Sequence, residues 1–230
     1  MIALLTTKTT HHIYFENQIF KKFKNIINIY ETDSIKPKFL TNILFEKKRE
    51  NYEKKKFFQN KEINFKSKSY ILKNINEKKI IKILKENNVK YIIVFGTRKI
   101  DKKILRNYKN KIYNLHGGNP EEYRGLDTHY WSIYHNNFNL YSCLHELNEK
   151  LDDGNITFIK KIKLNKDMKI HQLRLVNTLC CISLVLRLFK YKFNKIKVPS
   201  IKQKTIGRYY SFMPKELKKI VEKKFLKKNK

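Results

Sequence analysis

The sequence predicts an α/β fold, in which helices flank a mostly parallel, twisted sheet and a short extension follows at the C-terminus. Short apolar runs of strand length alternate with stretches whose apolar residues recur at helical spacing, and strand–helix–strand units of this kind form parallel sheets with right-handed crossovers. A length of 230 residues with 41% hydrophobic residues suits one domain with a full core and is too apolar for a disordered chain.

The first third of the chain begins with a predicted buried strand at residues 2–5, which are all apolar. An amphipathic stretch follows at residues 13–23, and residues 25–30 form a second predicted strand. Residues 31–75 are rich in lysine and give few signals apart from a solvated helix expected at residues 46–56.

The middle of the chain contains the clearest predicted elements. A helix is expected at residues 77–85, where isoleucine and leucine recur at helical spacing before two asparagines. Residues 89–95 form the clearest buried strand, and another at residues 111–115 ends beside His116. Because Asn114 and His116 are two positions apart, both side chains are expected on the same face of this strand.

The remaining elements continue the alternation of helix and strand. We predict a helix at residues 127–135, strands at 138–147 and 156–164, a long helix at 171–189 and a lysine-rich helix near the C-terminus. Asp127 or Thr128 is the expected N-cap of the first of these helices.

The cysteines and the apolar runs predict a cytoplasmic protein. Cys143, Cys180 and Cys181 form neither a paired disulfide framework nor a metal-binding spacing, which fits a reducing compartment. No N-terminal stretch has the order of a signal peptide. The most apolar run, residues 175–186, is shorter than the roughly 20 residues of a membrane span, so no span and no metal site are expected.

The charge of the chain is strongly positive, with 52 Lys and Arg against 20 Asp and Glu. Only seven of these cations are arginine, whereas recognition of bases and phosphates favours the bidentate fork of arginine. The lysines are scattered among isoleucine and asparagine. We therefore expect the charge to be mostly compositional drift, as an A/T-rich coding bias would produce, together with a field that attracts an anionic substrate, and we expect no specific nucleic-acid partner.

One stretch, residues 114–127, is built like an active site. Four of the six glycines and the only tryptophan lie within residues 114–154, and a glycine-poor chain places glycine where the backbone approaches another group closely or takes a positive φ. Residues 111–156 contain three cations and seven acids, a net charge of −4 within a chain of +32. This segment therefore differs from the rest of the chain in charge as well.

The residue types in this segment suit acyl transfer. The sequence contains no G-x-G-x-x-G, P-loop, G-x-S-x-G or zinc-ligand spacing. What remains is an amide (Asn114), an imidazole (His116) and a carboxylate (Asp152). The first two can stabilise a developing oxyanion, and Asp152 can either keep the imidazole charged or relay a proton. No nucleophilic side chain is needed if the acceptor is itself an amine.

These residues resemble the folate-dependent formyltransferase family. The N-x-H motif of that family matches Asn114 and His116, and the Asp of its L-D-x-G turn matches Asp152, 36 residues after the His. The second family histidine, seven residues before this Asp, matches His145. Residues 95–100 occupy the place where family members bind the pterin through backbone groups.

The resemblance covers roughly residues 1–160 and implies a Rossmann-like catalytic domain, which residues 161–230 extend as a helical segment packing on it. It implies N10-formyltetrahydrofolate as the co-substrate. Asn114 and His116 would polarise the formyl oxygen, and Asp152 would manage protons. The residues expected to contact the folate are Thr97, Arg98, Ile100, Leu147, Asn148 and Leu151.

Residues 116–131 look like the form found in sugar N-formyltransferases, and residues 9–15 and 207–214 look like the enzymes of that branch that act on GDP-perosamine. The implied acceptor is a nucleotide-linked 4-amino-4-deoxy sugar for the O-antigen of lipopolysaccharide, of the GDP-perosamine or dTDP-4-amino-4,6-dideoxyglucose type. The expected acceptor contacts, with the two histidines meeting phosphates, are His11, His12, Gly117, Gly118, Tyr123, Arg124, Asp127 and Arg208.

Three alternatives stay open at this point. A methionyl-tRNA formyltransferase usually has Ser-Leu-Leu-Pro after the His, which is absent here, and adds a β-barrel domain that the 74 residues after Ile156 can hardly supply. A formyltetrahydrofolate hydrolase would use the same three residues with water as the acceptor. A basic nucleic-acid-binding module would need none of them. The sequence also leaves a homodimer open.

Overall fold

The described part of the computed structural model, residues 1–33, 35–59 and 61–229, forms two sheets. Ser34 and Asn60, in the stretch predicted with few signals, and Lys230, in the predicted extension, lie outside the described residues. The strands are β1 (Ile2–Thr7), β2 (Ile26–Glu31), β3 (Lys68–Leu72), β4 (Tyr91–Val94), β5 (Ile112–His116), β6 (Tyr123–Gly125), β7 (Tyr141–Glu146), β8 (Ile156–Lys161) and β9 (Arg208–Tyr210).

The main sheet has seven strands in the order β3-β2-β1-β4-β5-β7-β8. The first five are parallel to one another, and β7 and β8 add to one side as antiparallel strands. The chain moves outward from β1 first in one direction and then in the other, as in Rossmann-like folds. The predicted α/β fold with a mostly parallel sheet is therefore confirmed.

The helices cover both faces of this sheet. They are α1 (Thr10–Lys22), α2 (Leu44–Glu53), α3 (Lys79–Glu86), α4 (Lys102–Asn107), α5 (Thr128–Tyr134), α6 (Leu173–Phe193) and α7 (Lys215–Lys228). A π-helical turn, Lys54–Phe58, extends α2, and a 3₁₀ turn, Ile170–Gln172, precedes α6.

The strand β1 shows why the central strands read as unbroken apolar runs. Ile2 and Leu4 pack on one face of the sheet with residues of α1 and α6, whereas Ala3 and Leu5 pack on the other face with residues of α3 and α4. A strand in the middle of a parallel sheet is buried on both faces. Each fully buried aliphatic side chain contributes about 1.5–3 kcal/mol, so this pattern strongly favours the central position of β1.

The helix α6 is the longest element, and it extends beyond the predicted end at residue 189. The segment Ile170–Phe193 is long and apolar enough, by length and composition alone, to cross a membrane, and half of its most apolar window is buried. Its buried side chains include Cys181, Val185 and Leu188, which join the core formed with α1 and the sheet. The packing is that of a core helix.

Several predicted boundaries differ from the structure. The strand expected at residues 138–147 is shorter, and the helix expected at 77–85 begins and ends slightly later. Asp127 is not a side-chain cap of α5: its backbone is left-handed, with φ of 50°, and its carboxylate accepts a hydrogen bond from the Met213 N–H at 2.9 Å. A contact with a residue 86 positions away has replaced the local cap.

Three strands, β3, β6 and β9, were not predicted. β3 lies at the edge of the main sheet, and only Leu72 of its five residues is fully buried, so its sequence lacks an apolar run. β9 pairs in parallel with β6 to form a separate two-stranded sheet. The segment predicted as a helical extension therefore also contains a strand, which packs near the start of α5.

Candidate active site

The carboxyl ends of β1, β4 and β5 lie side by side at one edge of the main sheet. The order of the strands reverses between β1 and β4, and parallel α/β sheets bind ligands at such a point. A cavity of about 490 Å³ opens there. It has two parts: a loop side, formed by the segments after β4 and β7, and an inner side, formed by the start of α1, by α2 and by the start of α6.

The three predicted catalytic residues meet in this cavity. Asn114 and His116 point to the same face of β5, and Asn114 lies opposite His145 of β7. Asp152 comes from the turn between β7 and β8. Its carboxylate lies 3.6 Å from His116 Nδ1 and 3.4 Å from His145 Nε2, and it accepts a hydrogen bond from the Asn114 amide at 3.3 Å.

The carboxylate of Asp152 is held as an anion. Burial alone would raise the pKa of Asp152, but the charge interactions with His116 and His145 and the bond from the Gly125 N–H lower it far below its ordinary value. The Gly125 bond is 2.8 Å long. Asp152 itself has a φ of 49°, a left-handed conformation that costs a non-glycine residue about 1–3 kcal/mol and that often accompanies a functional role.

The imidazole of His116 is neutral near pH 7. Burial lowers the pKa of His116 below its ordinary value, and the opposing effect of Asp152 does not restore it. Its Nε2–H donates to the Tyr123 carbonyl at 2.8 Å, which leaves Nδ1 facing Asp152. The neutral ring favours proton relay over a standing imidazolium, the other role expected from the sequence.

His145 orients the amide of Asn114. Its Nδ1–H donates to the Glu146 carbonyl at 2.8 Å, and its Nε2 lies 3.2 Å from the Asn114 amide nitrogen. Both bonds made by this amide are longer than the usual 2.9–3.0 Å. A substrate oxygen placed here can therefore compete for an N–H of Asn114.

All six predicted folate contacts line the loop side of the cavity, namely Thr97, Arg98, Ile100, Leu147, Asn148 and Leu151. Arg98 is also an anchor for its loop, because its backbone N–H and its Nε donate to buried Glu31 at 2.8 and 2.7 Å. Gly96 has a φ of 73°, and a Cβ there would lie 2.5 Å from the His12 ring. Only glycine fits at this point of the loop.

The predicted acceptor contacts divide into two groups. His11, His12, Gly117 and Asp127 line the cavity, but Gly118, Tyr123, Arg124 and Arg208 do not. The exposed guanidinium of Arg208 lies over the Tyr210 ring at 5.6 Å. Its neighbour Tyr209 lines the cavity instead, because successive residues of β9 point to opposite sides.

The two histidines at the start of α1 are not cationic phosphate contacts. Burial lowers the pKa of His11 well below its ordinary value, and burial lowers that of His12 to about 3. The Nδ1 of His12 lies 2.9 Å from the hydroxyls of Thr7 and Thr9. Both rings are neutral hydrogen-bonding groups, so they suit hydroxyls better than phosphates.

Sequence reasoning missed the arginines on the inner side of the cavity. Arg49 of α2 donates to the Tyr130 hydroxyl at 2.8 Å, and Arg174 of α6 donates to Glu50 at 2.9 Å and to buried Glu53. The four acids on this side of the molecule, Glu46, Glu50, Glu53 and Asp127, pair with the three cations Arg49, Arg174 and Lys218. The sequence does contain a signal for these ion pairs. Glu46, Glu50 and Glu53 are spaced so that three acids lie on one face of a helix within a lysine-rich stretch.

A family model described as formyl transferase matches residues 14–175, well over half of the chain. The chain belongs to the formyl transferase family. No curated protein matches its sequence significantly. Among the described residues, no cluster of three or more His, Cys, Asp and Glu side chains could hold a metal ion.

Solved structures with the same fold include other formyltransferases. PseJ from Anoxybacillus kamchatkensis, solved with UDP-4,6-dideoxy-4-formamido-L-AltNAc and tetrahydrofolate, has a TM-score of 0.60 at 16% identity over 95% of this chain and 88% of its own. A 4-N formyltransferase from Francisella tularensis has a TM-score of 0.60 at 17% identity over 91% of this chain and 76% of its own.

HypX from Aquifex aeolicus, solved with tetrahydrofolic acid, has a TM-score of 0.60 at 13% identity. The match covers 94% of this formyl transferase but only 30% of HypX, so the chain corresponds to less than a third of that protein. At these identities the structural likeness shows a common fold.

Proposed function

We propose that this formyl transferase moves the formyl group of N10-formyltetrahydrofolate to the amine of a nucleotide-linked 4-amino-4-deoxy sugar. The observation that carries the proposal is the position of Asn114, His116 and Asp152 between the two sides of one cavity. A group transferase needs a donor and an acceptor to meet at its catalytic groups. PseJ, which shares the fold, was solved with a nucleotide-linked 4-formamido sugar and tetrahydrofolate.

The loop side of the cavity suits the folate. Ile100, Leu147 and Leu151 line this side with apolar side chains, and Gly96 and Thr97 of the loop after β4 line it as well. Flat heteroaromatic ligands bind in pockets of this kind, which are mostly apolar with a few well-placed polar groups. The pterin would lie here, with its formyl group directed at Asn114.

The proposed reaction is direct attack by the amine. The neutral amine of the sugar adds to the formyl carbon, and an N–H of Asn114 stabilises the resulting oxyanion, such a donor being worth about 3–4 kcal/mol in related cases. His116 lies beside it as a neutral ring whose Nε2–H is bound to the Tyr123 carbonyl. Asp152, ionised because its pKa is low, accepts the ammonium proton through a water. The bond from carbon to the folate nitrogen then breaks, and that nitrogen takes up a proton.

The charge distribution supports a sugar ring on the inner side, with its phosphates outside. On the inner side the cations are paired with acids and His11 and His12 are neutral, so this side offers hydrogen bonds without a net positive field. The surface as a whole has a net charge of +32 and attracts anions. We propose a GDP-perosamine or dTDP-4-amino-4,6-dideoxyglucose type of acceptor, used for surface polysaccharide.

The test is formyl transfer to a panel of GDP-, dTDP- and UDP-linked amino sugars, followed by mass spectrometry of the products. We expect one 4-amino sugar nucleotide to gain a formyl group in a reaction that requires N10-formyltetrahydrofolate. The matched control is the corresponding sugar nucleotide with a hydroxyl in place of the amine. Release of formate without any formylated sugar would identify a hydrolase, and formylation of methionyl-tRNA would identify the other acceptor class.

A location in the cytoplasm is part of the proposal. The three cysteines are all free and buried, which suits a reducing compartment. Fractionation of the native cells, with an antibody against the protein, tests this directly. Recovery in the membrane pellet after a high-salt wash would contradict it.

A further inference from the structure

The strand β6 supplies a backbone group to each of two catalytic residues. The Tyr123 carbonyl accepts the Nε2–H of His116 at 2.8 Å, and the Gly125 N–H donates to Asp152 Oδ2 at 2.8 Å. β6 has only three residues and does not belong to the main sheet. A strand this short is not stable alone, so its position depends on what it pairs with.

The partner of β6 is β9, from the far end of the chain. Tyr123 lies opposite Arg208, and Gly125 lies opposite Tyr210. Just beyond the paired residues, the Leu126 N–H donates to the Tyr210 carbonyl at 2.8 Å. The two groups that contact His116 and Asp152 are therefore fixed by backbone bonds to a segment about 85 residues later in the sequence.

The same segment also contacts the turn that carries Asp152. The side-chain amide of Gln203 donates to the Asp152 carbonyl at 2.9 Å and to the Gly154 carbonyl at 2.8 Å. Asp152 has a left-handed backbone, which a free turn would readily leave. Gln203 thus holds the backbone of Asp152, while β6 holds its carboxylate.

The far end of the segment is anchored to α5. The Trp131 indole N–H donates to the Ser211 carbonyl at 2.9 Å, and the Met213 N–H donates to Asp127 at 2.9 Å. The rings of Trp131 and Tyr210 are stacked, with centroids 5.1 Å apart. These contacts explain how an extended segment keeps one position beside the cavity.

We propose that residues 203–213, here called the strap, form a positioning element for the formyl transfer reaction. By fixing β6 and the Asp152 turn, the strap sets which nitrogen of His116 carries the proton and where the Asp152 carboxylate lies. None of the strap residues named here needs to touch the reacting atoms for this role. The inference depends on the formyltransferase reaction and is independent of which acceptor is used.

Two substitutions release the strap at different points. In Gly207→Ala, the added Cβ would lie 2.4 Å from the Pro120 carbonyl oxygen and 2.6 Å from the Glu122 carbonyl carbon; both are backbone atoms, so β9 must move away from β6. Gln203→Met keeps the size of the side chain and removes both bonds to the Asp152 turn. The matched control is Ile206→Ala, because Ile206 is 67% exposed.

The first measurement is the ¹⁵N NMR spectrum of histidine-labelled protein, which reports the tautomer of His116 without any acceptor. We expect wild type and Ile206→Ala to show the Nε2–H form of His116. In Gly207→Ala and Gln203→Met the His116 nitrogen signals should shift. The second measurement is turnover in whichever acceptor assay is positive, where both variants should lose about 100-fold in kcat with an unchanged KM for the folate.

Thermal melting and circular dichroism identify which variants are folded. If Gly207→Ala does not fold, the measurements on Gln203→Met alone test the proposal. Folded variants with wild-type His116 signals and wild-type kcat would overturn the role of the strap. A negative acceptor panel with shifted His116 signals would instead leave the strap supported and contradict the proposed acceptor. The two proposals can therefore fail separately.

Discussion

At the scale of single residues, the site is a set of buried polar groups whose protonation is set by one another. Asp152 is only 6% exposed, yet it is surrounded by two imidazoles, an amide and a backbone N–H. Such a carboxylate can stay ionised while shielded from solvent, because hydrogen bonds from the protein replace those of its hydration shell. The cavity therefore contains a buried anion between Asn114, His116 and His145.

Replacement of this anion should abolish most of the turnover. Asp152→Asn keeps the shape of the side chain and removes its charge, so we expect kcat to fall by about 100-fold or more. Asp153→Asn is the matched control, since Asp153 is the next residue and lies 4.0 Å from Lys150 at the surface. Equal rates for the two variants, measured with saturating folate, would exclude Asp152 from the reaction.

The buried histidines make stability depend on pH in a defined direction. Burial lowers the pKa of His129 to about 4, below the value of about 6.5 in an unfolded chain. The unfolded state therefore binds the proton first as the pH falls. Stability is fully present above pH 6.5 and is lost as the pH falls towards 4, by about 3 kcal/mol for this residue.

Urea denaturation between pH 7 and pH 4 tests this linkage. His129→Gln keeps a donor for the Tyr141 carbonyl, which His129 Nε2 contacts at 2.7 Å, and should flatten the decline in the free energy of unfolding. His135→Gln is the control, because His135 is exposed and should change the slope less than His129→Gln does. A wild-type slope in His129→Gln would show that the protonation of other groups controls acid unfolding.

At the scale of elements, the inner wall of the cavity depends on ion pairs between α2 and α6. Glu53 is fully buried, and its partner Arg174 lies on a helix more than 100 residues later. A buried pair of this kind adds little net stability, but removal of one member leaves the other charge without compensation. The pair also fixes where α2 closes the cavity beside His11 and His12.

Loss of this arginine should destabilise the fold more than loss of another arginine on the same helix. Arg174→Met is expected to lower the free energy of unfolding by about 3–5 kcal/mol. Arg187→Met, at an exposed position where the guanidinium lies over the Phe158 ring, should cost less than about 1 kcal/mol. Urea denaturation compares them, and similar losses would mean that the α2–α6 pair is not a structural anchor.

At the scale of the whole molecule, charge is separated by location. The net charge of the chain is +32, whereas the cations on the inner side of the cavity are paired with Glu46, Glu50, Glu53 and Asp127. A long-range attraction of anions therefore comes from the surface and not from the inner side of the cavity. An anionic substrate would be attracted by the molecule as a whole before its uncharged part enters the cavity.

Ionic strength tests this separation. Salt shortens the Debye length from about 30 Å at 0.01 M to about 8 Å at 0.15 M, so kcat/KM for an anionic acceptor should fall as salt rises while kcat stays nearly constant. The control is an amino sugar without its nucleotide, at high concentration, whose kcat/KM should change little. A parallel loss for the charged and the uncharged acceptor would show that the surface charge plays no part in capture.

The sequence by itself determined the central strands, because residues buried on both faces must form apolar runs. It also predicted Asn114, His116 and Asp152 as the site residues, because their spacing matches the formyltransferase motif. Only the tertiary structure revealed the strap, the strand β3 and the arginines of the inner wall. Each of these depends on contacts between residues far apart in the chain, such as Gln203 with Asp152. The charge state of buried histidines also depends on surroundings that no local pattern records.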